Sequence, residues 1–271
     1  RELSVHFNLV SGTSVIYPNP ATDPYTTNDQ GENLDENQAL LDAQIGNSNY
    51  DIGHLMGYVG NNSGGGIAAF GSVCDPSSKG QGTSGEGDTP YAQVFFDQLV
   101  AHEIGHQFGM SHSYNSVIPV CTTRNPGTSV EPGAGATIMS YGFTCGTDNY
   151  FSSTTSGPFL NFHTASYVQA DAFINSISCQ SSSSTGNAPP VVTMPPSYTI
   201  PRSTPFSLTG SADTPGSGDS YTYSWEGTDI GAVMPDASTL DDTEQPPFFR
   251  SYEPTTSPSR TFPLLSAILD G

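Results

Sequence analysis

Apolar residues recur along the chain at two different spacings, and the changes of spacing mark its elements. Leu3-Ser4-Val5-His6-Phe7-Asn8-Leu9 alternates as a half-buried strand does. Leu34, Leu41 and Ile45 fall at helical spacing, so residues 34–45 are predicted to be a helix. Ile52 and His54 lie on a short apolar run. Gly64-Gly65-Gly66 then leads into Ile67-Ala68-Ala69-Phe70-Gly71-Ser72-Val73, which reads as a strand entered through a flexible loop. The most periodic segment runs from Ala92 to Phe108. There Val94, Phe95, Leu99, Val100, Ile104 and Phe108 form a wide stripe with no internal proline, the pattern of a buried helix. A last helix is predicted over Ala165–Ile177. Residues 1–180 therefore read as an α/β mixture.

Past residue 180 the pattern changes. Ser181-Ser182-Ser183-Ser184-Thr185-Gly186-Asn187-Ala188-Pro189-Pro190 buries no apolar surface and holds no helix across its prolines, so 181–190 reads as a linker. Beyond it, Tyr198-Thr199-Ile200, Phe206-Ser207-Leu208 and Tyr221-Thr222-Tyr223-Ser224-Trp225 are short β-prone runs separated by Pro, Gly and Asp. Residues 191–271 are accordingly expected to be an all-β, sandwich-like module, cut short at its end.

Composition narrows the partners. With 34% apolar residues in 271, the chain can bury a real core and divides most naturally into two domains. Six Lys plus Arg against 26 Asp plus Glu give a formal charge of -20, which argues against nucleic acid or anionic membrane as a partner. No apolar stretch is long enough to span a bilayer, and Arg1-Glu2-Leu3 lacks the apolar core of a signal peptide, so the chain is expected to be a processed fragment. Cys74, Cys121, Cys145 and Cys179 form no Cys-x-x-Cys pair, which disfavours a four-sulfur zinc site. Two disulfides in an oxidising, extracellular compartment are expected; buried free thiols are the alternative.

The chemistry concentrates in the periodic helix. His102-Glu103-Ile104-Gly105-His106 places two imidazoles one turn apart on one face, where they can share a metal. Glu103 projects beside that metal, within reach of a water proton. Gly109 can take the positive φ that ends the helix, and the turn brings His112 round as a third ligand, leaving a fourth position open. Two histidines and a glutamate on an amphipathic helix can equally be ordinary polar-face residues. The added spacing of Gly109, His112 and the turn Thr137-Ile138-Met139-Ser140-Tyr141-Gly142 makes that reading a coincidence of many positions.

His102-Glu103-x-x-His106-x-x-Gly109-x-x-His112 with Met139 resembles the metzincin clan of zinc peptidases. Gly66 to Pro76 is similar to the substrate-side edge strand and following cysteine of adamalysin-like (reprolysin) enzymes. Asn125-Pro126-Gly127-Thr128, Glu131-Pro132-Gly133 and Asn161-Phe162-His163-Thr164 look most like their bacterial reprolysin-like group. The resemblance covers most of residues 1–180. It implies a metzincin catalytic domain with a mixed sheet and an active-site helix, zinc held by His102, His106 and His112, Glu103 as general base, and Met139 as the floor beneath the metal. It also implies an extended protein or peptide substrate along Ile67, Ala68, Ala69 and Phe70, although a plain buried strand is the competing reading of those residues. Residues 137 and 138 with Gly142 and Phe143 would wall the main specificity pocket. Disulfides Cys121–Cys145 and Cys74–Cys179 are suggested by the same resemblance.

Two positions depart from the adamalysin pattern. Ser113 follows the third ligand where those enzymes usually carry Asp, which is more like matrixins. Tyr141, two residues after the methionine, resembles the turn of astacins and serralysins, where a tyrosine can reach the metal or the oxyanion; packing under the cleft is the alternative. His6, His54 and His163 read as structural.

In the C-terminal part, Gly210 to Asp213, Gly218 to Trp225 and Asp229 resemble a polycystic-kidney-type or related immunoglobulin-like repeat. Asp213, Asp219 and Asp229 could offer calcium its hard oxygen ligands, although acidic turn residues are more often simply solvated. The leading expectation is a secreted, monomeric zinc endopeptidase. The alternative is a catalytically silent, zinc-containing extracellular binding or adhesion protein, and the presence of Glu103 beside all three ligands favours catalysis.

Overall fold

The computed structural model describes residues 3–270 other than 12, 13, 20, 27, 59–63, 88–92, 120, 152–158, 185, 187, 214–219 and 233–246, and gives residues 93–95 as helical backbone alone. Ala92, the side chains of Val94 and Phe95, and Asp219 thus lie outside the described residues. The chain divides into two compact units. Arg1–Gln180 with Gly227–Arg250 form one, and Ser181–Glu226 with Ser251–Gly271 form the other.

In the first unit, α1 (Gln30–Gln44) starts at Asp29, whose carboxylate accepts from the N–H groups of Gly31 and Glu32 and so caps two orphan donors. Leu34, Leu41 and Ile45 are only half-buried, whereas Asn33, Asn37 and Gln38 are buried. The helix is therefore held by polar contacts. Asn37 donates to the Gly80 carbonyl at 2.6 Å, and Gln38 accepts from the Gly80 N–H at 2.6 Å.

Three strands make the sheet: β1 (Leu55–Tyr58), β2 (Gly65–Ala68) and β3 (Gly82–Glu86), in the order β1-β3-β2. β1 runs parallel to β3, while β2 is antiparallel to it and forms an edge, with Gly66 opposite Ser84 and Ile67 opposite Thr83. The central strand is Gly-Thr-Ser-Gly-Glu, so apolar patterning does not reveal it. Its buried small residues let α2 (Gln93–Gln107) approach β2 and β3 closely.

The helix ends as its sequence demands. Gly109 has φ +77°, its N–H bonds the His106 carbonyl, and the Met110 N–H bonds the Gly105 carbonyl; this is the left-handed C-terminal cap that a glycine serves best. The apolar core gathers just beyond, from Val73, Phe108, Met110, Ile138, Met139 and Ala170, the last on α3 (Thr164–Ile174). His163 is fully buried and caps α3 by accepting from the Ala165 N–H. Two disulfides close the unit, Cys74–Cys179 with Cα atoms 5.7 Å apart and Cys121–Cys145 at 5.6 Å.

The strand expected over residues 3–9 does not form. Ser4 has φ 52°, no ladder pairs this segment, and its alternation is spent differently: Leu3 packs on the core and Phe7 lies 6.1 Å from Phe108, while Leu9 is 94% exposed. An alternating run becomes a strand only where a sheet edge accepts its backbone. The strand expected over residues 67–73 is also shorter, ending at Ala68. Phe70 stands in a turn, and the N–H groups of Gly71 and Val73 instead satisfy the last carbonyls of α2, at His106 and Gln107.

The second unit holds two antiparallel pairs, β4 (Val191–Thr193) with β6 (Ser211–Asp213) and β5 (Phe206–Thr209) with β7 (Ser259–Phe262). Phe206 and Phe262 stack at 4.9 Å across the second pair, and Trp225 donates to the Pro258 carbonyl. A six-residue helix, α4 (Leu265–Asp270), follows. Among the described residues these short ladders and the helix do not show the all-β, sandwich-like module expected. Tyr198-Thr199-Ile200 joins neither ladder, being bracketed by Pro195, Pro196 and Pro201, which lack the N–H a ladder needs. No helix among the described residues is long and apolar enough to cross a membrane.

Candidate metal centre

The histidines of the periodic helix are presented by two different devices. His102 and His106 project from one face of α2, and the cap at Gly109 turns the chain so that His112 returns to the same place. Each ring is anchored through Nδ1 to a backbone carbonyl: His102 to Ile138 at 2.7 Å, His106 to Met110 at 2.7 Å, and His112 to Thr123 at 2.8 Å. A carbonyl only accepts, so every Nδ1 must carry the proton and every Nε2 is left with its lone pair. Ligand atoms of the three rings lie within 4.8 Å of one another, and the Nε2 atoms of His106 and His112 are 3.1 Å apart.

That donor set fits a zinc ion. Two lone pairs facing each other at 3.1 Å repel unless a cation lies between them, and two nitrogens of one tetrahedral zinc sit about 3.3 Å apart. Carbonyl partners on the far ring nitrogens are the usual means of orienting metal-bound imidazoles. Burial disfavours charge on all three imidazoles: with the neighbouring rings it holds His102 well below the usual histidine range and brings His106 down to about 4, and by itself it lowers His112. Among the described residues no other group of three or more His, Cys, Asp or Glu side chains gathers in this way, and Asp213 and Asp229 belong to none.

Glu103 is 5% exposed, and burial pushes its carboxyl up to about 8; a cation beside it would oppose that shift. Its side chain lies over Gly66 of the edge strand so closely that a Cβ there would stand 2.4 Å from Glu103 Cγ. Met139 is fully buried beneath the same helix, where a Cβ on Gly105 would meet its sulfur at 2.5 Å. Tyr141 packs its ring against His112 at 4.8 Å and His102 at 5.6 Å and stacks on Tyr114 at 4.7 Å. Its hydroxyl accepts from Thr123 at 3.4 Å. On the edge strand, Ile67 is exposed and Ala68 half-buried; Ala69 follows the strand and Phe70 lies in the turn after it.

A cavity of about 310 Å³ opens beside His102 and Glu103, walled by Gly65, Gly66, Leu99, Tyr141 and Phe143. Gln98 lies at its base and donates to the carbonyls of Ile138 at 3.1 Å and Ser140 at 3.4 Å. A larger apolar cavity of about 730 Å³ lies along Leu3, Phe7, Ile104 and Phe162. Its lining contains no histidine or glutamate.

Some contributors escape sequence reasoning. Gln98 and Thr123 belong to no motif, and Gly66 stands out only as the start of the edge-strand segment; their roles exist only once α2, β2 and the returning loop are brought together. Glu131 carried a signal: it is the one charged residue between Arg124 and Asp148, in a run, 129–140, that is buried throughout.

A search of curated proteins finds no match for the chain. A family model described as metallo-peptidase family M12B, reprolysin-like, matches residues 1–169, well over half of the 271. With three convergent imidazoles on and after α2, the chain belongs to the reprolysin-like M12B family of zinc-dependent metallopeptidases.

Proposed function

We propose that the protein is an endopeptidase that hydrolyses peptide bonds in extracellular proteins, with His102, His106 and His112 holding zinc and Glu103 as general base. One observation carries the reading: three Nε2 lone pairs converge beside a buried carboxyl that has nothing apolar to do there. When bound, zinc supplies Lewis-acid polarisation of the scissile carbonyl and makes water acidic enough to attack near neutral pH. Glu103 accepts the proton that the attacking water loses and passes it to the nitrogen of the departing amine, so the proton is conserved through the step. Met139 under Gly105 keeps the turn carrying His102 and His106 from sinking. The substrate lies extended along β2, which among the described residues pairs with β3 on one side only, and the cavity between Leu99 and Phe143 takes a side chain of moderate size and apolar character. Tyr141 serves through its ring, packed against two ligands. Two disulfides suit an oxidising compartment, which supports secretion.

The test is gelatin and peptide hydrolysis by the zinc-loaded protein, by the chelated protein, and by zinc-loaded Glu103→Ala. Chelator-sensitive cleavage that is absent in the variant is the expected result. Full zinc occupancy with no cleavage of any protein offered would instead favour a binding protein built on the same fold.

A further inference from the structure

Glu131 is a buried carboxyl that the catalytic reading leaves without a role. It is fully buried, and its two oxygens accept from four donors: Oε1 from the hydroxyls of Ser113, at 2.7 Å, and Thr137, at 2.5 Å; Oε2 from the N–H groups of Ala136, at 2.7 Å, and Thr137, at 3.2 Å. Those donors come from two separate stretches. Ser113 directly follows the third ligand, while Ala136 and Thr137 open the turn that carries Ile138, whose carbonyl orients His102, and Met139. The backbone repeats the connection, with Glu131 N–H on the Ser113 carbonyl and Ser113 N–H on the Met139 carbonyl.

We propose that Glu131 is a positioning residue for the metal centre. It clamps the chain leaving His112 to the turn beneath His102, and thereby sets where two of the three ligands stand. Directly after the third ligand stands Ser113, whose hydroxyl donates to a carboxylate supplied from 18 residues downstream. Four hydrogen bonds to one carboxylate form a rigid joint, because charged acceptors bind roughly twice as strongly as neutral ones. A residue that only filled space in the core would need none of them.

This inference rests on the zinc-peptidase reading, and its test keeps the two apart. The full chain and the variants Glu131→Gln, Ser113→Ala and Thr137→Val are titrated with zinc against a chromogenic chelator, then assayed at saturating zinc for kcat and KM on one peptide. Thermal unfolding of each is recorded. Glu131→Gln retains the shape and one oxygen for the backbone donors but loses the charge, and is expected to weaken zinc binding and lower kcat by about ten- to a hundredfold, with KM within about threefold. Each hydroxyl variant removes one donor and leaves the carboxylate, so smaller losses in the same two quantities are expected. The proposal is overturned if all three variants fold and keep zinc affinity and kcat within twofold of the parent, whatever their melting temperatures do. A parent chain that binds no zinc would overturn the underlying reading, and this one with it. Should Glu131→Gln not fold, the two hydroxyl variants decide by the same criterion.

Discussion

Gly66→Ala offers a severe test of where Glu103 stands. The new methyl carbon would lie 2.4 Å from Glu103 Cγ and 2.7 Å from both Cδ and Oε1, so the glutamate must retreat by about 1 Å to regain ordinary contact. Gly66 does not have the positive φ that would strain an alanine, and the clashing atoms belong to the buried Glu103 side chain from its Cγ outward, so it is Glu103 that must shift. A general base displaced by about 1 Å loses about a hundredfold in rate, or about 2.7 kcal/mol of transition-state stabilisation. The expected variant therefore has wild-type zinc content, a somewhat lower melting temperature, KM within about threefold, and kcat down about a hundredfold. The assay is steady-state cleavage of a quenched fluorescent peptide beside zinc analysis and calorimetry. A kcat within threefold of wild type at full zinc would refute both the position and the role assigned to Glu103.

The remaining predictions concern pH and cross-links. In the chelated protein, Glu103 is raised to about 8 by burial against about 4.3 when unfolded, so the stability it contributes is complete below 4.3 and is lost as pH rises through 8. His106 has the opposite sign: lowered to about 4 against about 6.5, its contribution is present above 6.5 and lost as pH falls through 4. Above pH 6.5 only the Glu103 slope remains, so urea midpoints of the chelated protein should fall between pH 6.5 and 8.5, by up to about 2 kcal/mol in stability, and Glu103→Gln should flatten that decline. A wild-type midpoint that does not move would show that the carboxyl is not desolvated as described. Replacing Cys121 and Cys145 by serine opens a loop of 24 residues and should cost about 3.5 kcal/mol, whereas losing Cys74–Cys179, separated by 105, should cost about 4.8 kcal/mol. Equal losses in calorimetry would contradict the loop-entropy account.

The parts of the molecule legible in its sequence were those where one local rule decides the outcome. A proline-free apolar stripe forms α2 because burial and helical period agree there, and a glycine at position 109 ends it because little else takes that φ without cost. Strands were less legible, for reasons visible in particular residues. β3 is central yet reads as a polar glycine-rich loop, since its side chains are small to admit the helix that follows it, a requirement of tertiary packing that the strand's own pattern does not carry. Residues 3–9 carry the alternation of a strand but find no edge to pair with. In the site, spacing alone brings forward His102, Glu103, His106, Gly109 and His112; the carbonyls of Ile138 and Thr123 that orient the rings are backbone atoms and leave no trace in residue identity.

The seam between α2 and the sheet has a thermal consequence. Gly82 lacks the Cβ that would strike Gln107 and His54, and the space is filled by a polar chain: His54 bonds Gln107 at 3.0 Å and Ser84 at 2.9 Å, and Gln107 donates to the Gly53 carbonyl at 3.0 Å. Apolar joints grip less firmly as water cools, because the hydrophobic drive is entropic near room temperature. Directional bonds do not share that weakness. The helix bearing His102, Glu103 and His106 is thus fastened, at its sheet-facing end, by a latch whose hold does not fade in the cold.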